Sequence, residues 1–325
     1  MQWYWILLIV LGGLVFVVGF CLSQVLLIAR GTLKAATTPR PRSIAEARGA
    51  LTEFEGLDIT DYDSVWRKEQ FELDGVQGKL RGEVIYNDTA NGAQRTKVAV
   101  ICHGHTWNRI LSVRYANIFY AKGYNVVIYD HAYFGESEGT HTTIGDKERY
   151  DLSTVLDYTR QLFGKDALVA LHGESLGAVT VLLELGLRND IDMVVADCPF
   201  SKTMSYYREL CKHLTHLPGF PIVDFSNIMA KRKFNYDFTL VNPIDAVASS
   251  AVPICFIHGK EDKFIQPHHS QDMYKVSRNP MSELHLIDNA GHARSFHVDH
   301  ETYTQIVNDF IDKVESSLSD VTVVA

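Results

Sequence analysis

The strongest candidate for a catalytic nucleophile in this sequence is a serine with a glycine two residues before it and another two residues after it. The run 173–177 reads Gly-Glu-Ser-Leu-Gly, with an apolar run at 167–171 before it and helix-forming residues after it. A strand, a sharp turn and a helix in this order hold a serine hydroxyl clear of the backbone. Glycines suit the turn because strand and helix approach too closely for a Cβ atom. The pattern predicts Ser175 as a nucleophile rather than as part of an ordinary turn.

A serine nucleophile needs a base, and the base needs an acid that orients it. In a parallel sheet both residues should follow the carboxyl ends of later strands. Asp262 follows a strand predicted at 253–258, and His292 follows one predicted at 283–288. Glu261 competes with Asp262, but the distance from the strand end favours Asp262.

The choice of base is less direct because the chain has 14 histidines. His292 is favoured because it lies in the loop directly after the last predicted strand, where Gly291 leaves it room. The competing histidines are His268, His269, His297 and His300. Three others are interpreted as satisfying hydrogen bonds at strand ends, namely His103, His172 and His258.

Acyl transfer also needs donors for the negative oxygen of the tetrahedral intermediate. The backbone N–H of Leu176, directly after the nucleophile, is one candidate. The other is the N–H of His105, in the loop after a strand predicted at 97–102. Gly104, next to it, lets the backbone approach a substrate.

Taken together, these motifs resemble the α/β-hydrolase superfamily, in its branch of serine esterases, lysophospholipases and peptidases. The segments that carry the resemblance lie at 103–105, 173–177, 258–262 and 291–293, and it covers roughly 71–314. The order serine, acid, histidine is the one expected there. The resemblance implies a mostly parallel eight-stranded sheet with helices on both faces and a helical cap after the sixth strand.

One loop departs from the family pattern. The run 130–139 resembles the family's Asp-x-Arg-x-x-Gly-x-Ser-x-Gly loop, but His131 and Ala132 replace the usual pairing around an arginine. The ion pair that such an arginine would make with Asp130 is therefore in doubt. The proposed catalytic residues are not affected.

Elsewhere the pattern of apolar residues predicts the elements that position these side chains. A hairpin is expected around 74–75 and a surface turn at 87–94. Short apolar runs that alternate with helices are typical of a parallel sheet covered on both faces. Strands are predicted at 97–102, 125–130, 167–172, 192–198, 253–258 and 283–288, with helices at 112–122, 146–163, 176–188, 266–276 and 300–316. Aromatic residues in the cap, about 201–246, are expected mainly to pack on the sheet, with the rest lining an apolar acyl pocket.

The amino-terminal segment has a different character. Residues 3–28 contain no charged side chain, and as a helix they would extend about 39 Å, enough to cross a hydrocarbon layer of roughly 30 Å. Trp3, Tyr4 and Trp5 fit an aromatic belt at a membrane surface. A cleaved signal peptide is disfavoured because only Met1 and Gln2 precede the apolar run. The sequence predicts one transmembrane helix.

A basic linker, 29–60, follows the predicted span and precedes the hydrolase domain, 61–318. Positive residues beside a span tend to stay cytoplasmic, so we expect the domain on that side. The basic residues are Arg30, Lys34, Arg40, Arg42 and Arg48, opposed by Glu46. The stretch 31–50 is expected to be extended or partly disordered.

Composition argues against several other classes. A net charge of −8 argues against nucleic acid as a partner. Dinucleotide and nucleotide phosphate motifs are absent, as are His-Glu-x-x-His and zinc-ligand spacings, so no cofactor or metal is expected. The predicted function is a membrane-anchored serine hydrolase of small-molecule or lipid-like carboxylic esters, with membrane lipid as the partner of its span. Peptide cleavage or acyl transfer by the same residues, or an inactive membrane-tethered binding module, are the alternatives.

Overall fold

We describe the protein from a computed structural model, which covers residues 2–88 and 95–323. The surface turn predicted at 87–94 therefore lies mostly outside the described residues.

A single eight-stranded sheet forms the centre of the fold, in the order β1-β2-β4-β3-β5-β6-β7-β8. The β1–β2 and β2–β4 pairs are antiparallel, and all other pairs are parallel. The strands are Arg67–Gly75 (β1), Gly78–Tyr86 (β2), Lys97–Cys102 (β3), Asn125–Tyr129 (β4), Leu168–Glu174 (β5), Met193–Asp197 (β6), Ile254–Gly259 (β7) and Glu283–Ile287 (β8). This is the mostly parallel sheet that the α/β-hydrolase resemblance implied, so the predicted fold class is confirmed.

Buried strands supply both faces of the core. In β3, Val98 and Val100 join the hydrophobic cluster on one face, whereas Ala99 and Ile101 join the cluster on the other. Successive side chains of a strand point to opposite faces, so a strand buried on both sides reads as one continuous apolar run. This is why the six predicted parallel strands end within a few residues of the observed ones.

Helices cover both faces of this sheet. Side chains of α3 and α11 pack on one face, and those of α4, α5, α8 and α9 pack on the other. The helices after the amino-terminal one are Ile44–Gly49 (α2), Val113–Ala121 (α3), Glu148–Phe163 (α4), Leu176–Glu184 (α5), Thr203–Thr215 (α6), Gly219–Phe234 (α7), Pro243–Ser249 (α8), His268–Val276 (α9), Ser295–Val298 (α10) and His300–Val323 (α11). Short helical turns occur at Ala50–Phe54, Asp61–Val65 and Arg109–Ser112.

The insertion between β6 and β7 begins with α6 and α7, as expected for a cap. Aromatic and aliphatic residues of these helices form a third hydrophobic cluster with residues from the loops above the sheet. Tyr207 and Phe238 are buried in it, with ring centroids 4.8 Å apart. The cap therefore lies over the edge where the strands end.

The first helix, α1, runs over Gln2–Thr37 and is longer than predicted. Among the described residues it is the helix long and apolar enough to cross a membrane, with a mean hydropathy of 2.8 over its most apolar window and none of that window buried. Its last turns differ, since Ala29, Leu33 and Ala36 are buried against the cap. These residues recur every three to four positions, so they share one face of the helix.

The prediction of an extended or partly disordered segment at 31–50 is wrong. Residues 31–37 continue α1, and 44–49 form α2. Two hydrogen bonds hold the end of α1, one from Ser226 Oγ to the Ala29 carbonyl (3.0 Å) and one from Thr142 N–H to the Thr37 carbonyl (2.9 Å). Packing against the cap keeps 31–37 helical, whereas α2 packs through Ala47 on the core beneath α3; in both cases a tertiary effect overrides local composition.

Candidate active site

Ser175 stands at the sharp turn between β5 and α5. Its φ of 53° and ψ of −109° place it in a conformation that non-glycine residues rarely adopt. A Cβ atom on Gly173 would lie 2.3 Å from the carbonyl carbon of Gly177, and one on Gly177 would lie 2.0 Å from the Cys102 carbonyl oxygen. The backbone contacts thus require both glycines, and they force the serine side chain out of the turn.

The three residues predicted to act together meet above the carboxyl ends of β5, β7 and β8. Ser175 Oγ lies 2.9 Å from His292 Nε2, and His292 Nδ1 lies 2.7 Å from Asp262 Oδ2. An ionised carboxylate can only accept hydrogen bonds, so Nδ1 carries the ring proton. His292 Nε2 is then free to accept the proton of the serine hydroxyl.

Asp262 is fully buried, whereas its competitor Glu261 is exposed. Asp262 Oδ1 accepts the backbone N–H groups of Phe264 (2.8 Å) and Ile265 (2.9 Å). Burial alone would raise the pKa of Asp262, but hydrogen bonds from His258 and His292 outweigh it and hold the pKa well below its usual range. The carboxylate is therefore charged at neutral pH, the state needed to orient the imidazole.

His258 is a neighbour whose contact with this site the sequence reasoning missed. Its Nε2 lies 2.9 Å from the Ile265 carbonyl and 3.4 Å from Asp262 Oδ2, and its Nδ1 lies 2.7 Å from Ser270 Oγ. The sequence contains one signal for this contact, since His258 lies at the end of β7, four residues before Asp262. His258 helps to fix the loop that carries Asp262.

The other candidate histidines lie elsewhere. His268 and His269 face Glu209 of the cap, His297 stacks on Phe54, and His300 is exposed. The ring of His292 instead packs against Phe264, with centroids 4.9 Å apart. That packing restricts the orientation of the imidazole toward Ser175.

Both predicted oxyanion donors border the cavity above Ser175. Leu176 is the first residue of α5, where a backbone N–H has no acceptor within the helix. His105 follows β3, and its ring Nε2 donates to the Ala36 carbonyl of α1 at 3.2 Å. Burial lowers the pKa of the His105 ring to about 4, so the ring is neutral at neutral pH.

Glu174, beside the nucleophile, supports the turn. Its carboxylate pairs with the guanidinium of Arg114 and accepts the hydroxyl of Tyr115 (2.6 Å). Arg114 also pairs with Glu55, which lies in the segment predicted to be a linker. A Cβ atom on Gly104 would lie 2.7 Å from Glu174 Oε1, so the loop of His105 passes directly over this carboxylate.

An arginine far from the motif replaces the missing one at Asp130. Arg109 Nη1 lies 2.5 Å from Asp130 Oδ2, and the Arg109 N–H donates to Asp130 Oδ1 (2.6 Å). The same guanidinium contacts Glu83 at 3.0 Å and Glu136 at 2.6 Å. The structural ion pair that the sequence placed in doubt thus exists, with its cation 21 residues earlier in the chain.

A cavity of about 570 Å³ lies between the sheet edge and the cap, with Ser175 and His292 in its wall. Most of its lining is apolar. The cap contributes Tyr206, Tyr207, Leu210 and Leu214, the loops contribute Leu176, Phe200, Phe264 and Ile265, and α1 contributes Thr32, Ala35 and Ala36. The cap residues were predicted as a possible acyl pocket, but no sequence signal pointed to α1.

A second cavity of about 990 Å³ lies next to the first and borders the same histidine. Its lining is more polar. It shares Trp107, Glu174, His292 and Ala293 with the first cavity and adds Arg42, Glu46, Glu53, Glu55, Arg114 and Arg294. The reacting atoms therefore stand between an apolar space and a polar one.

Three clusters among the described residues bring possible metal ligands together. They are Cys198 with Asp262 and His292, Glu209 with His268 and His269, and Cys255 with Glu283 and His285. In each cluster a histidine already contacts a carboxylate, at 2.7 Å in the first and 3.0 Å in the others.

Several known proteins are similar to this chain over most of its length. A family model described as serine aminopeptidase, S33, matches residues 93–232. The protein YqkD of Bacillus subtilis is 30% identical over 266 residues, which cover 81% of this chain and 85% of YqkD. YfhR of Escherichia coli is 25% identical over 253 residues, 76% of this chain and 81% of YfhR.

Among solved structures, the esterase Pf2001 of Pyrococcus furiosus superposes with a TM-score of 0.63. The alignment covers 79% of this chain and 96% of that one, at 23% sequence identity. At this identity the similarity establishes the fold.

Proposed function

Because the chain belongs to the α/β-hydrolase superfamily, we propose that it is a membrane-anchored serine hydrolase that cleaves carboxylic esters with an apolar acyl group. One observation carries this proposal. Ser175, His292 and Asp262 form a continuous line of hydrogen bonds at the wall of an apolar cavity.

In the proposed reaction Ser175 Oγ attacks the ester carbonyl while His292 Nε2 takes the hydroxyl proton. Asp262 stabilises the resulting imidazolium. The N–H groups of His105 and Leu176 hold the negative oxygen. When the intermediate collapses, the carbon–oxygen bond to the alcohol breaks and His292 returns the proton to the leaving alcohol.

The second half of the reaction regenerates the enzyme. The acyl group is now an ester of Ser175. A water molecule gives a proton to His292 and attacks the acyl carbon, and the free acid leaves as the proton returns to Ser175 Oγ. The net reaction consumes one ester and one water and yields one acid and one alcohol.

Anchoring by α1 is the other part of the proposal. Large apolar side chains from Trp3 to Leu22 are exposed, and insertion into a hydrocarbon layer would remove them from water. Arg30 and Lys34 follow on the same helix. Positive residues beside a span stay on the cytoplasmic side, so we place the hydrolase domain there.

Labelling with a serine-directed fluorophosphonate tests the proposal. We expect the folded full-length protein to react and Ser175→Ala to lose both labelling and hydrolysis of nitrophenyl acetate, butyrate, octanoate and palmitate. Ser201→Ala is a matched control, since Ser201 Oγ lies 2.8 Å from His269 Nδ1 and forms a second serine–histidine pair.

Two outcomes would overturn it. If the folded protein fails to label, the chain is a binding module. If aminoacyl nitroanilides are cleaved far faster than every ester, the enzyme is a peptidase that uses the same residues.

A further inference from the structure

We propose that α1 has a second role, in substrate recognition. Thr32, Ala35 and Ala36, in its last turns, form one wall of the acyl-binding cavity, and the substrate is a single-chain amphiphilic ester that enters from the membrane beside this helix. This inference rests on the proposed ester hydrolysis and specifies its substrate class.

The first observation is the composition of the cavity wall. Ala35 and Ala36 border the cavity on one side, and Tyr206, Leu210 and Leu214 of α6 border it on another. The small alanine side chains leave space beside the helix that a larger residue would fill. The length of acyl chain that fits therefore depends on α1.

Several hydrogen bonds fix this wall. The Ala36 carbonyl accepts from His105 Nε2 (3.2 Å), and the Pro39 carbonyl accepts from the hydroxyl of Tyr133 (2.7 Å). His105 is the residue whose N–H we place at the oxyanion. The end of α1 is thus hydrogen-bonded directly to the loop that supplies one proposed oxyanion donor.

Three contacts, at two levels along the helices, give the relative direction of α1 and α7. Ser226 bonds to Ala29. Phe234, eight residues after Ser226, stacks on His141, with ring centroids 4.5 Å apart. The neighbouring Thr142 donates its N–H to the carbonyl of Thr37, which is eight residues after Ala29. The two helices therefore run parallel, and the start of α7 points toward the amino-terminal half of α1.

This direction brings an exposed apolar rim of the cap to the membrane surface. Phe220 has non-helical dihedral angles (φ −84°, ψ 134°), so the regular part of α7 begins beside it, at Pro221, five residues before Ser226 and about level with Gln24 of α1. The apolar stretch 3–22 ends there, and its twenty residues extend about 30 Å, the thickness of a hydrocarbon layer. The rim consists of Leu214, Leu217 and Phe220, which are 64%, 41% and 67% exposed.

The cavity opens at this rim. Leu214 lines the cavity and is also exposed, so the apolar space reaches the surface at the end of α6 that faces the membrane. Beyond His292 the second cavity presents Arg42 and Arg294. One apolar space and one polar space on either side of the reacting atoms suit an ester with a single fatty chain and a polar alcohol.

The role of α1 in the cavity wall is tested by a larger side chain that fills the space beside the helix. The full chain is reconstituted in phosphatidylcholine vesicles, and kcat/KM is measured for nitrophenyl palmitate and nitrophenyl butyrate. We expect Ala35→Trp to lower the palmitate-to-butyrate ratio by at least about tenfold, since a pocket that loses space for even one methylene discriminates by about that factor. Lys34→Trp is the matched control, because Lys34 is exposed and does not border the cavity.

An unchanged ratio in Ala35→Trp, or an equal fall in Lys34→Trp, would overturn the role of α1. The proposed hydrolysis fails separately, if Ser175→Ala keeps its activity toward both esters.

Entry from the membrane is tested at the rim. We expect Leu217→Glu to lower hydrolysis of palmitoylglycerol embedded in the vesicles, relative to soluble nitrophenyl butyrate, by about fivefold, because a carboxylate resists contact with the hydrocarbon layer. Leu240→Glu is the control. Leu240 is also exposed, but it precedes Val241, whose carbonyl accepts the N–H of Thr203 at the opposite end of α6. Equal effects of the two substitutions would exclude entry at the rim.

Discussion

Replacing Asp262 by asparagine changes one atom and should nearly abolish activity. Asp262 Oδ1 accepts two backbone N–H groups, from Phe264 and Ile265, and Oδ2 accepts His292 Nδ1–H at 2.7 Å. An asparagine that keeps its oxygen toward the backbone must turn its NH₂ group toward His292. Two donors cannot bond, so the imidazole moves its proton to Nε2 and can no longer accept one from Ser175.

The opposite orientation of the amide is also costly. Its NH₂ group would face the two backbone donors, and both N–H···O bonds would be lost, each worth about 1 kcal/mol. The wrong tautomer is therefore the expected state of Asp262→Asn. We expect kcat to fall by about 10³–10⁴, the loss produced when a base is held in the wrong tautomer by this substitution.

The assay is kcat for nitrophenyl butyrate, together with the rate of fluorophosphonate labelling. Asp288→Asn is the matched control, because Asp288 also follows a strand but is exposed and pairs with Lys260 at 2.6 Å. A loss of less than tenfold in Asp262→Asn would refute this reasoning, as would an equal loss in Asp288→Asn.

Three further predictions concern the scaffold. Arg109→Met leaves Asp130 buried without its cation and should lower the free energy of unfolding in urea by about 3–5 kcal/mol; a loss below about 1 kcal/mol would contradict this. Gly177→Ala clashes with the Cys102 carbonyl and should abolish labelling, whereas at Gly186 a Cβ would lie 3.4 Å from its nearest neighbour, so Gly186→Ala should label normally. Burial raises the pKa of Asp151 to about 7, so the folded state holds a proton that the unfolded state loses above about pH 4. The free energy of unfolding should therefore fall as pH rises from 4 to 7, by up to about 1.4 kcal/mol per pH unit. The plot of Tm against pH should be flatter for Asp151→Asn than for the wild type, and parallel plots would contradict this prediction.

The elements that hold the candidate site were largely predictable because their signals are local. The strand expected at 97–102 is the observed β3, since a strand buried on both faces shows its burial as an unbroken apolar run. Ser175 could be placed because the residues around it show a strand, a glycine-flanked turn and a helix in the local sequence, although the contact that requires Gly177 is made with the distant Cys102 carbonyl. Asp262 and His292 could be placed from the strands that precede them.

The features that escaped prediction depend on contacts between distant parts of the chain. The last turns of α1 contain Thr32, Lys34 and Thr37, a composition that suggests a linker. They are helical because the cap packs on their other face. The family pattern places the cation for Asp130 in the same loop, whereas Arg109 reaches it from the segment after β3. No spacing in the sequence records such a pairing.

The shared wall has a consequence for proteolysis. A protease that cuts the chain after Thr37 would free a water-soluble fragment, but that fragment would lack the part of α1 that borders the cavity. Such cleavage would therefore abolish hydrolysis of long-chain esters and would not produce an active soluble enzyme. With α1 anchored as proposed, the search of the enzyme for substrate is confined to the two dimensions of one membrane.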